Sequence, residues 1–321
     1  MPRLPIAAAA AIAIAALAVS PTSAPAQSAY PNRDIKIVVG YSPGSSPDTA
    51  ARRFADAIRK SSGQNVIVEN KPGALTNIAA QSVAQAKPDG YTVFTTAGSS
   101  TFAANSWLFK SLPFDPVKDF TPVTSTLKTP FVFTVQQGSP INSLAELTAA
   151  LKAKGGKAKF AYPNSISLVT SEVYKAKAGV EATGVSYKSV VDSHAALAAG
   201  EVDFFVSDIT FRNRAKVLAL TIAERSPLMP EIPSAAEAGL ADYDLGAWWG
   251  IWLPAGAPQD VVTKLADWID AFVASDENRK FGETVGNQPW PGVRGEALRQ
   301  HTINEIKKWG EAIKLARIEP Q

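Results

Sequence analysis

Cysteine is absent from this 321-residue chain, and histidine occurs only twice. Without cysteine there is no disulfide bond, thiol nucleophile or thiolate metal site. His194 and His301 lie far apart, and neither belongs to a His/Asp/Glu spacing typical of a metal site. A metalloenzyme is therefore not expected, and no cofactor is predicted.

A strong excess of charge is also absent. The chain has 32 lysines and arginines against 29 aspartates and glutamates, a formal net charge of +3. So small an excess does not favour binding to nucleic acid or to an anionic membrane surface. We therefore expect no nucleic-acid partner.

Long apolar runs are confined to the start of the chain. Arg3 precedes an apolar stretch over residues 6–19, and Ala24-Pro25-Ala26 supplies small residues for cleavage. The stretch is shorter than the roughly 20 residues that a membrane-spanning helix needs. The pattern predicts a signal peptide over residues 1–26 and export of a soluble mature protein to the periplasm.

The rest of the chain alternates short β-branched runs with amphipathic stretches. The first unit reads as strand, helix, strand, helix, strand over residues 35–39, 48–61, 66–68, 77–86 and 91–95. A second unit begins near Phe131. Such alternation predicts an α/β fold with a mostly parallel sheet in each of two lobes, whose ligands bind beyond the carboxyl ends of the strands.

The length of the chain also predicts two lobes, because one hydrophobic core stops growing at about 250–300 residues. We place the first part of lobe 1 at residues 27–126, lobe 2 at 127–246 and a return segment to lobe 1 at 247–321. The return segment holds two predicted helices, over residues 258–274 and 295–316. Two crossings between the lobes would form a hinge.

The loop after the first strand has the clearest binding signal. We expect Ser46 to be the N-cap of the following helix, Pro47 its first residue, and Asp48 to suit its positive end. Gly44 and the serines allow backbone N–H groups to turn toward an anion. The alternative is a capped turn without a ligand. The candidate contacts are Tyr41, Ser42, Gly44, Ser45, Ser46 and Asp48.

The same loop reads Gly-x-Ser-x-Gly over residues 40–44, a pattern typical of the nucleophile elbow of serine hydrolases. That elbow uses the backbone N–H of the residue after the serine, and here this residue is Pro43, which has none. Losing one such donor costs about a hundred- to a thousandfold in rate. We therefore predict no catalytic residue, and a secreted hydrolase using Ser42 is the remote alternative.

A second strand-to-helix junction, over residues 162–167, has a similar character. Asn164, Ser165 or Ser167 would cap the following helix. Because the junction lies in the other lobe, closure would point two helix N-termini at one molecule, which suits a ligand with a carboxylate at each end. Lys188, beside Tyr187, either adds a positive charge to the site or is a solvated loop lysine.

Several ordered motifs resemble the Bug family, the solute-binding receptors of tripartite tricarboxylate transporters. They are Ser-Pro-Gly at 42–44, Val-Glu-Asn-Lys-Pro-Gly at 68–73, Lys-Pro-Asp-Gly-Tyr-Thr at 87–92, Leu-Pro-Phe-Asp-Pro-Val-Lys-Asp-Phe at 112–120 and Leu-Pro-Ala-Gly at 253–256. The resemblance implies a monomeric Venus-flytrap protein that binds a carboxylate between its lobes and delivers it to membrane permease subunits. A receptor that signals to a sensor kinase is the alternative.

In that family the two junctions and a third loop contact the ligand, mainly through backbone N–H groups and water. The resemblance adds Gly98, Ser99, Ser100, Asn164, Ser165, Ile166, Ser167, Tyr187, Lys188, Asp208 and Trp248 to the candidate contacts.

The chain departs from the family where Ser45 replaces a glycine, where the second junction lacks glycine, and where the segment after Asp208 is short. Aromatic residues near the expected cleft leave an aromatic carboxylate open beside an aliphatic di- or tricarboxylate. These residues are Tyr41, Phe102, Trp248 and Trp249.

Overall fold

The computed structural model describes residues 30–321, so the predicted signal peptide lies outside the described residues. Eleven strands occur in this part of the chain: β1 Ile35–Val39, β2 Val66–Asn70, β3 Thr92–Ala97, β4 Phe120–Thr129, β5 Phe131–Val135, β6 Ala158–Tyr162, β7 Ala182–Ser186, β8 Phe204–Asp208, β9 Lys216–Leu220, β10 Ala247–Pro254 and β11 Gln288–Pro289.

Nine α-helices accompany these strands over the same residues: α1 Ser46–Ser62, α2 Asn77–Ala84, α3 Asn105–Leu108, α4 Leu144–Ala153, α5 Ser165–Ala178, α6 Val190–Ala199, α7 Gln259–Val273, α8 Asp276–Val285 and α9 Gly295–Leu315. Short 3-10 turns cover Ala74–Thr76 and Ile209–Arg214, and a π-helical turn covers Ser99–Ala104. None of the helices between residues 30 and 321 has both the length and the apolar character needed to cross a membrane.

The strands form two sheets, and the predicted two-lobed α/β fold is confirmed. The first sheet has the order β11-β4-β10-β3-β1-β2 and the second the order β7-β6-β8-β5-β9. Parallel pairing is limited to β1 with β2 and β3, and to β6 with β7 and β8. The sheets are thus mixed rather than mostly parallel, because β5 and β10, which follow the crossings between lobes, run antiparallel to their neighbours.

Helix α1 shows how the sequence builds the first lobe. Its apolar residues recur at helical spacing, so Ala51, Phe54 and Ile58 share one buried face. The helix ends at Gly63, whose positive φ of 71° places it in the left-handed region that glycine adopts without strain. This buried face holds α1 against the sheet, so the start of the helix lies beyond the carboxyl end of β1.

The two lobes are joined where β4 and β10 lie side by side. Trp248 pairs with Lys128 and Trp249 with Leu127 in the register of these antiparallel strands. We call these four residues with Thr129 and Ala247 the hinge ribbon. The second sheet begins with β5, two residues after Thr129, and the chain returns to the first sheet at Ala247, while the exact lobe boundaries given above stay predictions.

A shared apolar core joins the lobes on one side of the hinge ribbon. Trp309 and Ile313 of α9 belong to the same buried cluster as Val173 and Tyr174 of α5. This packing fixes α5 of the second lobe against the first, and it places the N-terminus of α5 at the edge of the space between the lobes.

Candidate functional site

A cavity of about 450 Å³ lies between the two lobes. The first lobe contributes the loop after β1, and the second contributes the junction before α5, the residues after Tyr187 and the end of β8. Of the predicted contacts, those that line this cleft are Tyr41, Ser42, Gly44, Ser45, Ser46, Asn164, Ile166, Lys188 and Asp208.

Asp48 does not line the cleft but organises the loop that does. Its carboxylate accepts hydrogen bonds from the backbone N–H of Gly44 at 2.8 Å, from Asn70 Nδ2 at 2.9 Å and from Arg52 Nε at 3.0 Å. Asn70 Nδ2 also donates to the Tyr41 carbonyl at 3.0 Å. Burial alone would raise the pKa of Asp48, but these donors hold that pKa below its usual value. The charged carboxylate thus holds the loop in place through hydrogen bonds inside lobe 1.

The predicted N-cap of α1 is wrong by one residue. Ser45 is the cap: its Oγ accepts from the Asp48 backbone N–H at 3.4 Å and donates to the Ser42 carbonyl at 2.7 Å. Because the helix begins at Ser46, Pro47 takes the second helical position, where a missing N–H is still tolerated. Ser46 is therefore free to reach the other lobe, and its Oγ lies 2.9 Å from Thr210 Oγ1.

The second junction is capped by Asn164, one of the three predicted candidates. The Asn164 side chain accepts from the Ser167 backbone N–H at 2.9 Å. Ser165 is buried and donates to Asn105 Oδ1 of the first lobe at 2.5 Å, so it links the lobes instead of lining the cleft. Ser167 is also buried, and its hydroxyl has no hydrogen-bond partner among residues 30–321.

The third predicted loop lies behind the cleft. Gly98 packs under Trp248, since a Cβ at Gly98 would come within 2.1 Å of the Trp248 ring. Ser99 Oγ accepts from the Trp248 backbone N–H at 3.3 Å, and Ser100 is buried close to the Tyr41 hydroxyl. Gly98 and Ser99 thus contact Trp248, Ser100 lies close to Tyr41, and none of the three lines the cavity.

Trp248 also points away from the cleft, and Trp249 takes its place. The Trp248 indole N–H donates to Glu305 at 3.1 Å, whereas the Trp249 ring lies 5.7 Å from the ring of Tyr41. Adjacent residues of a strand point to opposite faces of a sheet. Because both residues are tryptophan, the sequence alone does not tell which of the two faces the cleft. The register of the strand decides it.

The second lobe contributes the charged groups of the cleft. Lys188 and Arg214 both line it, while Tyr187 packs against the apolar cluster around Leu197. Burial raises the pKa of Asp208 to about 6, in spite of hydrogen bonds from Thr210. Burial likewise raises the pKa of the Tyr41 phenol. The cleft therefore contains two basic side chains, Lys188 and Arg214, and one carboxyl group, Asp208, whose pKa is raised.

Several lining residues were not among the predicted contacts. Arg214 lies at the end of the 3-10 turn after Asp208, and no helix or strand pattern in the sequence places its side chain. The apolar wall is formed by Leu127, Phe131, Val190, Val191 and Phe211, with Thr129 and Asn287 beside it. No local pattern marks these residues, because they come from five separate segments.

Neither histidine lines the cleft. His194 Nε2 lies 2.9 Å from Ser207 Oγ, and burial lowers the pKa of His194 to about 4. The His301 ring packs against Trp248 at 4.6 Å between ring centroids. Between residues 30 and 321 no group of three His, Asp or Glu side chains is placed to hold a metal ion. Ser42 thus has no histidine base within the cavity.

Two lobes, a hinge ribbon and an interlobe cavity lined by two helix N-termini together define a solute-binding protein. A family model described as the tripartite tricarboxylate transporter family receptor matches residues 50–317. The chain belongs to this family. Membership confirms the Bug-family prediction and makes the protein a binding protein, not a hydrolase.

Individual proteins agree with the family assignment. A UPF0065 protein of Bordetella bronchiseptica is 34% identical over 305 residues, covering 91% of this chain and 89% of that protein. The structure of R. palustris Rpa4515 with adipate is 29% identical with a TM-score of 0.86, covering 91% of this chain and 100% of that one. The periplasmic binding protein BugD is 27% identical with a TM-score of 0.84, at 91% and 100% coverage.

Proposed function

We propose that this chain is an exported receptor that captures a small di- or tricarboxylate between its lobes and delivers it to the permease subunits of a tripartite transporter. One observation carries the proposal: helices α1 and α5, from opposite lobes, both begin at the same cavity. The positive end of a helix favours a carboxylate. Two such ends facing one space match a molecule with two anionic groups.

The available donors are sufficient for useful affinity. The backbone N–H groups of Ser46 and Ile166 have no partner within their own helices, and Lys188 and Arg214 add positive charge. Micromolar binding requires about 8 kcal/mol, and a hydrogen bond to a charged group contributes roughly 1.5–3 kcal/mol. Four such contacts contribute about 6–12 kcal/mol, a range that includes the requirement before the cost of ordering the ligand.

The proposed direct contacts are the predicted residues that line the cleft, together with Arg214 and Trp249. The cleft volume of about 450 Å³ lies within the range of about 300–1,000 Å³ typical of small-molecule sites. The adipate of Rpa4515, a six-carbon dicarboxylate, supports this ligand class for a relative with the same fold.

The place of action follows from the predicted signal peptide and the family. Residues 1–26 direct export to the periplasm, where BugD also acts as a binding protein. We propose a monomeric receptor that docks on its permease with the ligand bound. Uptake of a labelled ligand by cells carrying or lacking the receptor separates this role from signalling to a sensor kinase: loss of uptake on deletion supports delivery, and unchanged uptake refutes it.

A thermal-shift panel tests the ligand class. Succinate, adipate, citrate and aromatic dicarboxylates are compared with putrescine, a cation of the same chain length as succinate. At a ligand concentration 100 times Kd, binding adds about 2.7 kcal/mol to the free energy of unfolding, which corresponds to a rise in Tm of about 5–10 °C. The proposal fails if no carboxylate raises Tm, or if an ester is turned over in a Ser42-dependent way.

A further inference from the structure

A second cavity of about 220 Å³ adjoins the cleft, and we call it the side chamber. It lies between α1 and α8 of lobe 1, is also lined by Thr210 and Phe211 of lobe 2, and shares seven lining residues with the cleft, among them Gly44, Ser46 and Thr210. Because Ser46 and Thr210 line both cavities and contact each other at 2.9 Å, this interlobe hydrogen bond stands at their common boundary. Movement of the lobes would therefore open or close the passage between the two cavities.

Aromatic rings form part of the walls of the side chamber. Phe54, Phe272 and Phe281 line it, together with the side chain of Val285. The Arg53 guanidinium carbon lies 4.1 Å from the ring centroid of Phe281 and 5.3 Å from that of Phe272. Flat apolar walls with a cation at one edge match an aryl group that carries a polar substituent.

Three polar groups at the side chamber lack partners. Arg53 Nε, Thr126 Oγ1 and Asn287 Oδ1 are buried atoms with no hydrogen-bond partner among residues 30–321. Arg53 Nη2 is 3.6 Å from the exposed Glu277, a distance that is too long for a hydrogen bond. Buried polar atoms without partners are rare in native proteins. Three such atoms at one cavity indicate that water or a ligand group in the cavity supplies their missing hydrogen bonds.

We propose that the side chamber binds the distal end of the ligand, and that this end is an aryl group bearing a hydrogen-bonding oxygen. An apolar cavity of about 150 Å³ already accommodates benzene, so about 220 Å³ holds a ring with one small substituent. The carboxylate of the same molecule then lies at the N-termini of α1 and α5, and the substituent faces Arg53. This inference rests on the proposed binding of a carboxylate at these helix N-termini, and it extends the ligand class from di- and tricarboxylates to arylalkyl carboxylates.

Calorimetric titration with three probes tests the side chamber: succinate, 4-phenylbutyrate and 4-(4-hydroxyphenyl)butyrate. Val285→Phe places a ring inside the chamber. We expect it to weaken both aryl probes at least tenfold and to leave succinate within twofold. Thr284→Phe, at an exposed neighbouring position of α8, is the matched control and should change none of the three affinities. If Val285→Phe does not fold, Thr49→Trp fills the chamber from its exposed rim.

Arg53→Met tests the polar end of the chamber. In the wild-type protein the hydroxyphenyl probe should bind at least threefold more tightly than the phenyl probe, and Arg53→Met should abolish this difference. Arg59→Met, on the exposed side of α1, should preserve it.

The outcomes separate the two proposals. Failure of every carboxylate to bind overturns the proposed function. The side-chamber proposal alone is overturned if succinate binds and the aryl probes do not. It is also overturned if the aryl probes bind but Val285→Phe and Thr49→Trp leave their affinities unchanged.

Discussion

The two strand-to-helix junctions of the cleft have similar sequences but different anchors. The first junction, residues 41–48, is held within its own lobe by Asp48, and Ser42 and Gly44 remain exposed. The second, residues 162–167, is held by Ser165, which is buried against Asn105 of the other lobe. The first junction therefore keeps its shape through contacts within lobe 1 and meets lobe 2 through the Ser46–Thr210 contact, whereas the anchor of the second junction is itself a contact between the lobes.

The largest effect is expected when the anchor of the first junction, the Asp48 carboxylate, is removed. Asp48→Ala leaves Gly44, Asn70 and Arg52 without their common acceptor, so the loop loses its shape. We expect the affinity for the best dicarboxylate to fall by about a hundredfold, or about 2.7 kcal/mol, and the free energy of unfolding to fall by about 2–3 kcal/mol. Calorimetry and urea unfolding measure the two effects.

Asp56→Ala is the control for Asp48→Ala, because Asp56 forms an exposed ion pair on the same helix. Such a pair contributes about 0–1 kcal/mol. Unchanged ligand affinity in Asp48→Ala would contradict the assigned role of Asp48.

The next test acts on the second junction. Ser165→Ala leaves Asn105 Oδ1 buried without its donor, so we expect the free energy of unfolding to fall by about 1–2 kcal/mol, with ligand affinity changed less than about threefold. Ser171→Ala is a matched control on the same helix. Its hydroxyl is buried and has no partner among residues 30–321, so its removal should cost less. Equal losses in the two variants would refute an interlobe anchor at Ser165.

A smaller effect distinguishes the two serines of the first junction. Ser45→Ala removes the N-cap and should lower the free energy of unfolding by about 1 kcal/mol. Ser46→Ala should change the free energy of unfolding by no more than about 0.5 kcal/mol. It should weaken ligand binding by about threefold, because the cleft loses the Ser46 hydroxyl and its contact with Thr210. The reverse pattern in urea unfolding would restore Ser46 as the cap.

The smallest expected effect is a pH dependence that arises at Asp208, which meets the first junction through Thr210. Asp208 titrates at about 6 and is therefore mostly neutral at pH 5.5 and charged at pH 7.5. Its charge opposes a bound carboxylate, so we expect affinity to fall by about threefold over this range, as for a charge about 8 Å away in a partly hydrated cleft. Asp208→Asn should abolish the change; a persistent change assigns it to another group.

Asp208 also makes the free energy of unfolding depend on pH. The pKa of Asp208 is higher in the folded protein than its ordinary value of 3.8, so the folded state binds the proton more tightly. This contribution is fully present below about pH 4 and is lost as the pH rises through about 6.

Local patterns were enough to predict the elements around the first junction. The βαβ alternation, the apolar stripe of α1 and the Ser-Pro-Gly turn depend on neighbours a few residues apart, so the sequence carries them directly. The second junction was likewise predicted from its strand-to-helix pattern, and the family resemblance assigned it ligand contacts, of which Asn164 and Ile166 line the cleft. Long-range contacts determined the rest: which of Trp248 and Trp249 faces the ligand, and where Arg214 points after the short turn.

The sequence by itself determined the fold class, the two lobes and the position of both helix N-termini, because helical and strand periodicity and turn chemistry are local. Only the tertiary structure decided that Ser45 rather than Ser46 is the cap, that Asp48 is an internal anchor, and that a side chamber opens beside Arg53. The Ser45 cap is set by the backbone geometry of the loop itself, whereas the Asp48 anchor and the side chamber depend on segments remote in the chain, which bring Asn70 to Asp48 and Phe281 to Arg53.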